Sequence, residues 1–169
     1  YLAMFNETDI QEYFTRLSSV GLSIDTALQE RIDFSCGGHP YLLEMLGYEV
    51  IEVFREKQQT DVDLAAKHLE QSFLDQYDRM ADLLREDGNL NKLLQILFGP
   101  VVDVKQTDVD ELLKYGFLKL TDQQIYTAFS SHFQSYLSLI EREVDLWPIW
   151  RQTEKALRHI ITTKMIEQY

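Results

Sequence analysis

The stretch FSCGGHPYLLEMLGYEVIE, Phe34 to Glu52, sets two glycines, a histidine and a proline at the entrance to a run with helical apolar spacing. Part of this is ordinary punctuation. Glycine accepts the left-handed backbone that ends a helix, and proline at the first helical position gives up an N–H that has no partner there anyway. The same residues also suit a ligand. Bare backbone allows close approach, a helix N-terminus offers N–H groups and positive potential, and a proline ring is a rigid apolar face for a nucleobase. His39 either caps the helix or donates to a phosphate. Gly38, His39 and Pro40 are therefore the candidate binding residues, and their context has to decide between boundary and site.

Working outward, the flanking segments read as helices. Asn6-Glu7-Thr8-Asp9 caps a first helix with Ile10, Tyr13/Phe14, Leu17 and Val20 on one face and Gly21 as its stop. Ser23 is placed to cap a second, carrying Ile24, Leu28 and Ile32 and ending at Gly37-Gly38. The third starts at Pro40, with Leu42/Leu43, Leu46, Val50 and Phe54 or Val53 inward. Thr60 and Asp63 form a capping-box-like start to a fourth, in which Val62, Ala65, Leu69, Phe73, Tyr77, Met80 and Leu84 keep the spacing for six turns.

Near Gly88 the pattern changes. Leu90, Leu93, Leu94 and Leu97 mark a short helix stopped by Gly99-Pro100, Val101–Val104 reads as extended, and Thr107-Asp108-Val109-Asp110 opens another helix that ends at Gly116. Two β-like runs follow, Phe117–Leu120 and Ile125–Phe129, separated by a four-residue polar loop of common hairpin length. A last helix from Ser130 carries Phe133, Tyr136/Leu137 and Ile140. Helix, helix, hairpin, helix is the order of a winged helix-turn-helix, although its usual middle helix is not visible. The expected fold is mainly α: a helical bundle over residues 1–87, a winged helix-turn-helix with a small β-hairpin wing over 88–142, and a C-terminal helix or the start of a further helical domain over 143–169.

Composition narrows the function classes. Of the net charge of −12, residues 1–87 hold 18 Asp/Glu against 7 Lys/Arg, and residues 88–169 hold 10 against 9. An acidic surface repels phosphate backbones, so nucleic acid is not expected as a partner of the first half. The helix that would enter a DNA groove, TDVDELLKYG, sets Asp108, Asp110 and Glu111 against one lysine, which leaves the basic footprint missing. The single cysteine, Cys36, rules out an internal disulfide framework and fits a reducing, cytoplasmic setting, where it reads as a small buried residue. No apolar run reaches the ~18 residues of a membrane helix. His39, His68, His132, His159 and Cys36 show no metal-ligand spacing.

A helical region with CGGHPYLLEML, followed by LLKYGFL…IYTAFSSHFQSYL, resembles the helical lid and winged helix of the STAND class of AAA-related P-loop ATPases. That class includes prokaryotic members with a GGHP helix entrance, with NB-ARC and NACHT proteins as more distant relatives. The resemblance covers roughly residues 5–140. It implies a lid packed on an upstream P-loop domain, a bound ATP or ADP whose Mg²⁺ the parent protein holds elsewhere, and Pro40 against the adenine with Gly38 and His39 beside it. It also implies a downstream effector or sensor domain, and self-association as a further possibility. Some members carry a winged-helix histidine that contacts the ADP phosphate. His132 is the nearest candidate, two positions late, where Ser130 stands instead. The chain has no G-x-x-x-x-G-K-[ST] and no Walker-B run, so this piece by itself is not expected to hydrolyse ATP; it reads as part of a longer protein. The rival readings are an adaptor of the same fold without nucleotide contact and, behind it, a DNA-binding regulator.

The tail LWPIWRQTEKALRHIITTKMIEQY resembles the opening helix of HEPN-type domains, with Glu154 and Arg158 at matching spacing. Its Arg and His residues lack the separation of the HEPN nucleases, so an amphipathic linker or packing helix anchored by Trp147 and Trp150, with Leu157, Ile161 and Met165 on its stripe, is the expectation.

Overall fold

Three helices of the first half begin where a short polar side chain takes over an unbonded N–H. In the computed structural model, which describes residues 4–143 together with Thr153, Glu154 and Arg158, α1 (Glu7–Ser19) starts with a reciprocal cap. Asn6 Oδ1 accepts from the Thr8 and Asp9 N–H groups at 2.8 and 3.1 Å, while Asp9 Oδ2 accepts from the Asn6 N–H at 2.9 Å. The expected stripe buries Phe14 and Leu17, but Val20 caps the C-terminus and is 49% exposed. α2 (Thr26–Cys36) is capped by Asp25, which accepts from the Leu28 N–H at 2.8 Å, rather than by Ser23. Ile24 thus lies outside the helix.

α3 (Pro40–Lys57) begins at the proline as expected and buries Leu42, Leu43, Leu46, Val50 and Val53. It also buries Gly47, because Tyr13 of α1 crosses it there. A Cβ at Gly47 would come within 2.6 Å of the Tyr13 hydroxyl, which donates to the Leu43 carbonyl at 2.8 Å. Removing the β-carbon lets the two helices close on a hydrogen-bonded ring. Burial pushes the Tyr13 phenol pKa well above its ordinary value.

The expected six-turn helix is two helices, α4 (Val62–His68) and α5 (Glu70–Glu86), so the first half holds five rather than four. Leu69 (φ −95°, ψ 3°) breaks them, its N–H shared between the Ala65 and Ala66 carbonyls at 3.2 Å each. The cap of α4 is Asp61, accepting from the Leu64 N–H at 2.9 Å; Asp63 instead pairs with Arg31. Beyond the break α5 buries Phe73, Tyr77, Met80, Ala81 and Leu84.

α6 (Leu90–Phe98) and α7 (Gln106–Lys114) are tied by Lys92 Nζ, which lies 2.8 Å from Asp108 Oδ1. Val101–Val104 forms no strand, and Val101 and Val102 are exposed. β1 (Leu118–Leu120) and β2 (Tyr126–Ala128) pair antiparallel, with Leu118 opposite Ala128 and Leu120 opposite Tyr126. Thr121 closes the hairpin: its N–H donates to the Ile125 carbonyl at 3.0 Å, and its hydroxyl accepts from the Ile125 N–H at 3.2 Å. α8 (Ser131–Glu143) is capped by Ser130 Oγ, which accepts from the Phe133 N–H at 3.1 Å, and buries Phe133 and Leu137.

Among the described residues the fold is mainly α with one two-stranded antiparallel hairpin, as expected. Among the described residues no helix is long and apolar enough to cross a membrane. Residues 1–138 form one compact unit and residues 139–169 a second. In the second, Arg158 pairs with Glu154 at 2.7 Å; Trp147, Trp150, Leu157, Ile161 and Met165 lie outside the described residues.

Within the first unit, aromatic rings join the segments on either side of Gly88. Phe129 stacks on Phe133 with centroids 4.7 Å apart, Phe133 lies 5.1 Å from Tyr77, and Tyr77 meets His132 edge-on at 5.5 Å. Fully burying one such large side chain is worth about 1.5–3 kcal/mol, so this junction is a principal source of stability.

Candidate functional site

The entrance to α3 is built by close backbone contacts within the chain. Gly37 (φ +52°) follows α2, and a β-carbon there would run into the Phe129 carbonyl at the end of the hairpin. A β-carbon at Gly38 would lie 2.8 Å from the Phe5 carbonyl oxygen, and the Gly38 carbonyl accepts from the Phe5 N–H at 2.8 Å. Both glycines therefore have a structural reason that does not involve a ligand.

His39 takes the extended conformation (φ −76°, ψ 113°) that a following proline favours. Its Nδ1 accepts from the Leu42 N–H at 3.5 Å, a long contact that caps α3 and leaves the proton of the neutral ring on Nε2. Burial holds its pKa below the ordinary histidine value. Its ring tilts against Phe129 with centroids 5.5 Å apart. Pro40 is buried within the chain, so its ring is not the face that the entrance presents.

A cavity of about 360 Å³ opens beside His39. Tyr41, 47% exposed, stands at the start of α3; Gln76, Arg79, Met80 and Leu83 line one wall from α5; Tyr115, Gly116 and Phe117 close it from the α7–β1 turn. Met4 and Phe129 complete the lining. The Arg79 side chain makes no ion pair or hydrogen bond among the described residues, whereas that of its α5 neighbour Arg85 pairs with Asp82. The cleft thus combines aromatic and thioether walls with one amide and one uncommitted guanidinium. Of the three expected site residues, His39 borders this cleft and Gly38 and Pro40 do not. Arg79 and Tyr41 join the lining with no sequence motif to mark them. The periodicity of α5 marks its inner face but not which outer residue faces an opening.

His132 does not line the cleft; it is half-buried among Phe34, Phe73 and Tyr77. Its Nδ1 lies 3.2 Å from the Tyr77 hydroxyl, which donates to the Ser35 carbonyl at 3.1 Å. Burial lowers its pKa, and the charge of Glu70 works in the opposite sense. Cys36 is fully buried at the end of α2, where burial raises the thiol pKa and suppresses the thiolate a nucleophile would need. Asp108, at the start of α7, is held below the usual carboxylate range by hydrogen bonds from Lys92 and from the Lys105 N–H. The leading turn of α7 therefore carries a firmly ionised carboxylate.

No family model, curated protein or solved structure matches this chain.

Proposed function

We propose that this chain is the lid and winged-helix part of a nucleotide-dependent molecular switch and that it reads a nucleotide at the cleft beside His39. In this reading an upstream P-loop domain holds the phosphates and Mg²⁺ of ATP or ADP. The supporting observation is the juxtaposition of His39 and Tyr41 at the α3 entrance with the uncommitted guanidinium of Arg79. Aromatic faces accept a base, and a guanidinium pairs with a phosphate oxygen through two parallel N–H donors. The volume suits a nucleoside-sized group, within the ~300–1,000 Å³ of ordinary ligand sites, and the chain has no loop to cradle a triphosphate. Pro40 acts here by fixing the backbone so that the residues on either side of it face the opening; His39 and Tyr41 provide the stacking surface. A nucleotide that bridges the upstream domain and this cleft favours the closed arrangement, and its loss frees the winged helix and whatever effector or sensor follows.

The test is ADP binding to the intact protein by calorimetry. Tyr41→Ala and Arg79→Ala are each expected to weaken it about 5–50-fold, the loss of a stacked base or a charge-assisted pair. ADP affinity unchanged in both variants would reject the reading.

A second reading, an adaptor that binds protein rather than nucleotide, is favoured by the exposed aromatics Tyr48 (66%), Phe34 and Tyr41. Retained partner binding with no measurable ADP binding would select it.

A further inference from the structure

The segment ahead of α1 passes between two turns that are far apart in sequence, and each turn has a glycine where the segment touches it. At Phe5 the backbone lies on Gly38: the Phe5 N–H donates to the Gly38 carbonyl at 2.8 Å, and a β-carbon at Gly38 would press on the Phe5 carbonyl at 2.8 Å. One residue earlier, the Met4 side chain fills the space where a β-carbon of Gly116 would stand. Gly116 also carries φ +75°, so the α7–β1 turn depends on glycine for conformation as well as room. Met4 lines the cleft, and His39 and Tyr115 line it next to the two glycines.

We infer that Met4–Asn6 is a strap that latches the α2–α3 turn to the α7–β1 turn and closes one side of the cleft, so that lifting it loosens both turns together and opens the cavity. The anchor at its far end is firm, because Asn6 is fixed by the reciprocal cap of α1. The latch itself is small, consisting of one backbone hydrogen bond and one thioether in a slot, and such a contact opens far more easily than the core beneath it. The inference does not depend on what the cleft binds.

Hydrogen exchange on the whole chain tests it, with Met4→Ala combined with Phe5→Pro to remove the side chain and the N–H. The His39 N–H, bonded to the Cys36 carbonyl, and the Phe117 N–H, bonded to the Leu112 carbonyl, report on the two turns. Both are expected to exchange at least ~10-fold faster in the variant, while the Leu84 amide inside α5 is unchanged. Thiol labelling of a Met80→Cys variant, at a cleft position that is 5% exposed, should accelerate by a similar factor when the strap substitutions are added. A response at only one turn or at neither, or labelling at an unchanged rate, would overturn the inference. So would a Phe5 amide that exchanges in the unaltered protein as fast as an unstructured one, a measurement that needs no variant to fold.

Discussion

The Tyr77 hydroxyl lies 3.2 Å from His132 Nδ1, across 55 residues of sequence, while its proton goes to the Ser35 carbonyl at 3.1 Å. One side chain of α5 thereby joins the end of α2 to the start of α8. Tyr77→Phe keeps the ring in its aromatic cluster but leaves that carbonyl and the imidazole without the hydroxyl. Losing a buried hydrogen bond in this way costs about 1–3 kcal/mol. The expected result is a lower urea midpoint with an unchanged denaturant slope, and an unchanged midpoint would show that the hydroxyl contributes nothing.

Stability should fall as the solution is acidified through the histidine range. Burial depresses the folded-state pKa of both His39 and His132 below 6.5. The unfolded chain therefore takes up protons first as pH falls. Their contribution is complete above about 6.5 and is lost as pH drops from there towards the folded-state values. Denaturation midpoints measured between about pH 7.5 and 5.5 should decline, and His39→Asn with His132→Phe should flatten that decline. An equal slope in the double variant would assign the pH dependence to other groups.

Two left-handed glycines should respond very differently to alanine. Gly37 (φ +52°) faces the Phe129 carbonyl, whereas Gly88 (φ +72°) has nothing within 4 Å of an added β-carbon. Gly88→Ala should cost only the backbone strain, about 1 kcal/mol. Gly37→Ala adds a collision with main chain that cannot rotate away, and the loss should approach the ~5 kcal/mol at which a small domain no longer folds. Thermal melts of the two variants check this, and equal melting temperatures would contradict it.

Local signals carried most of the fold. Caps and apolar spacing located the helices, and β-rich runs around a polar loop located the hairpin, because these features act over a few residues. What escaped the sequence depended on partners distant in the chain. Apolar residues continue at helical spacing through Leu69, so the break between α4 and α5 leaves no mark in the pattern. Asp25 and Asp61 cap in place of Ser23 and Thr60, a shift of one or two residues that propensity does not resolve. The glycines at 37 and 38 suit ligand approach as readily as punctuation in the sequence, because nothing near them names Phe129 and Phe5 as their neighbours. His39 was legible as a site candidate; Arg79 was not, since an exposed arginine on an amphipathic helix looks like any solvated charge until the opposite wall of the cleft is in place.

The ring junction has a consequence for dissection of the molecule. Phe129 and Phe133 come after Gly88, while Tyr77 and Phe73 come before it, and each set supplies part of the other's apolar surroundings. A polypeptide severed in the Gly88 turn would yield two sticky halves, each poorly soluble alone. Mixed together, they should dock again as complementing fragments, and mutual rescue rather than autonomous folding is the behaviour to look for in any truncation series.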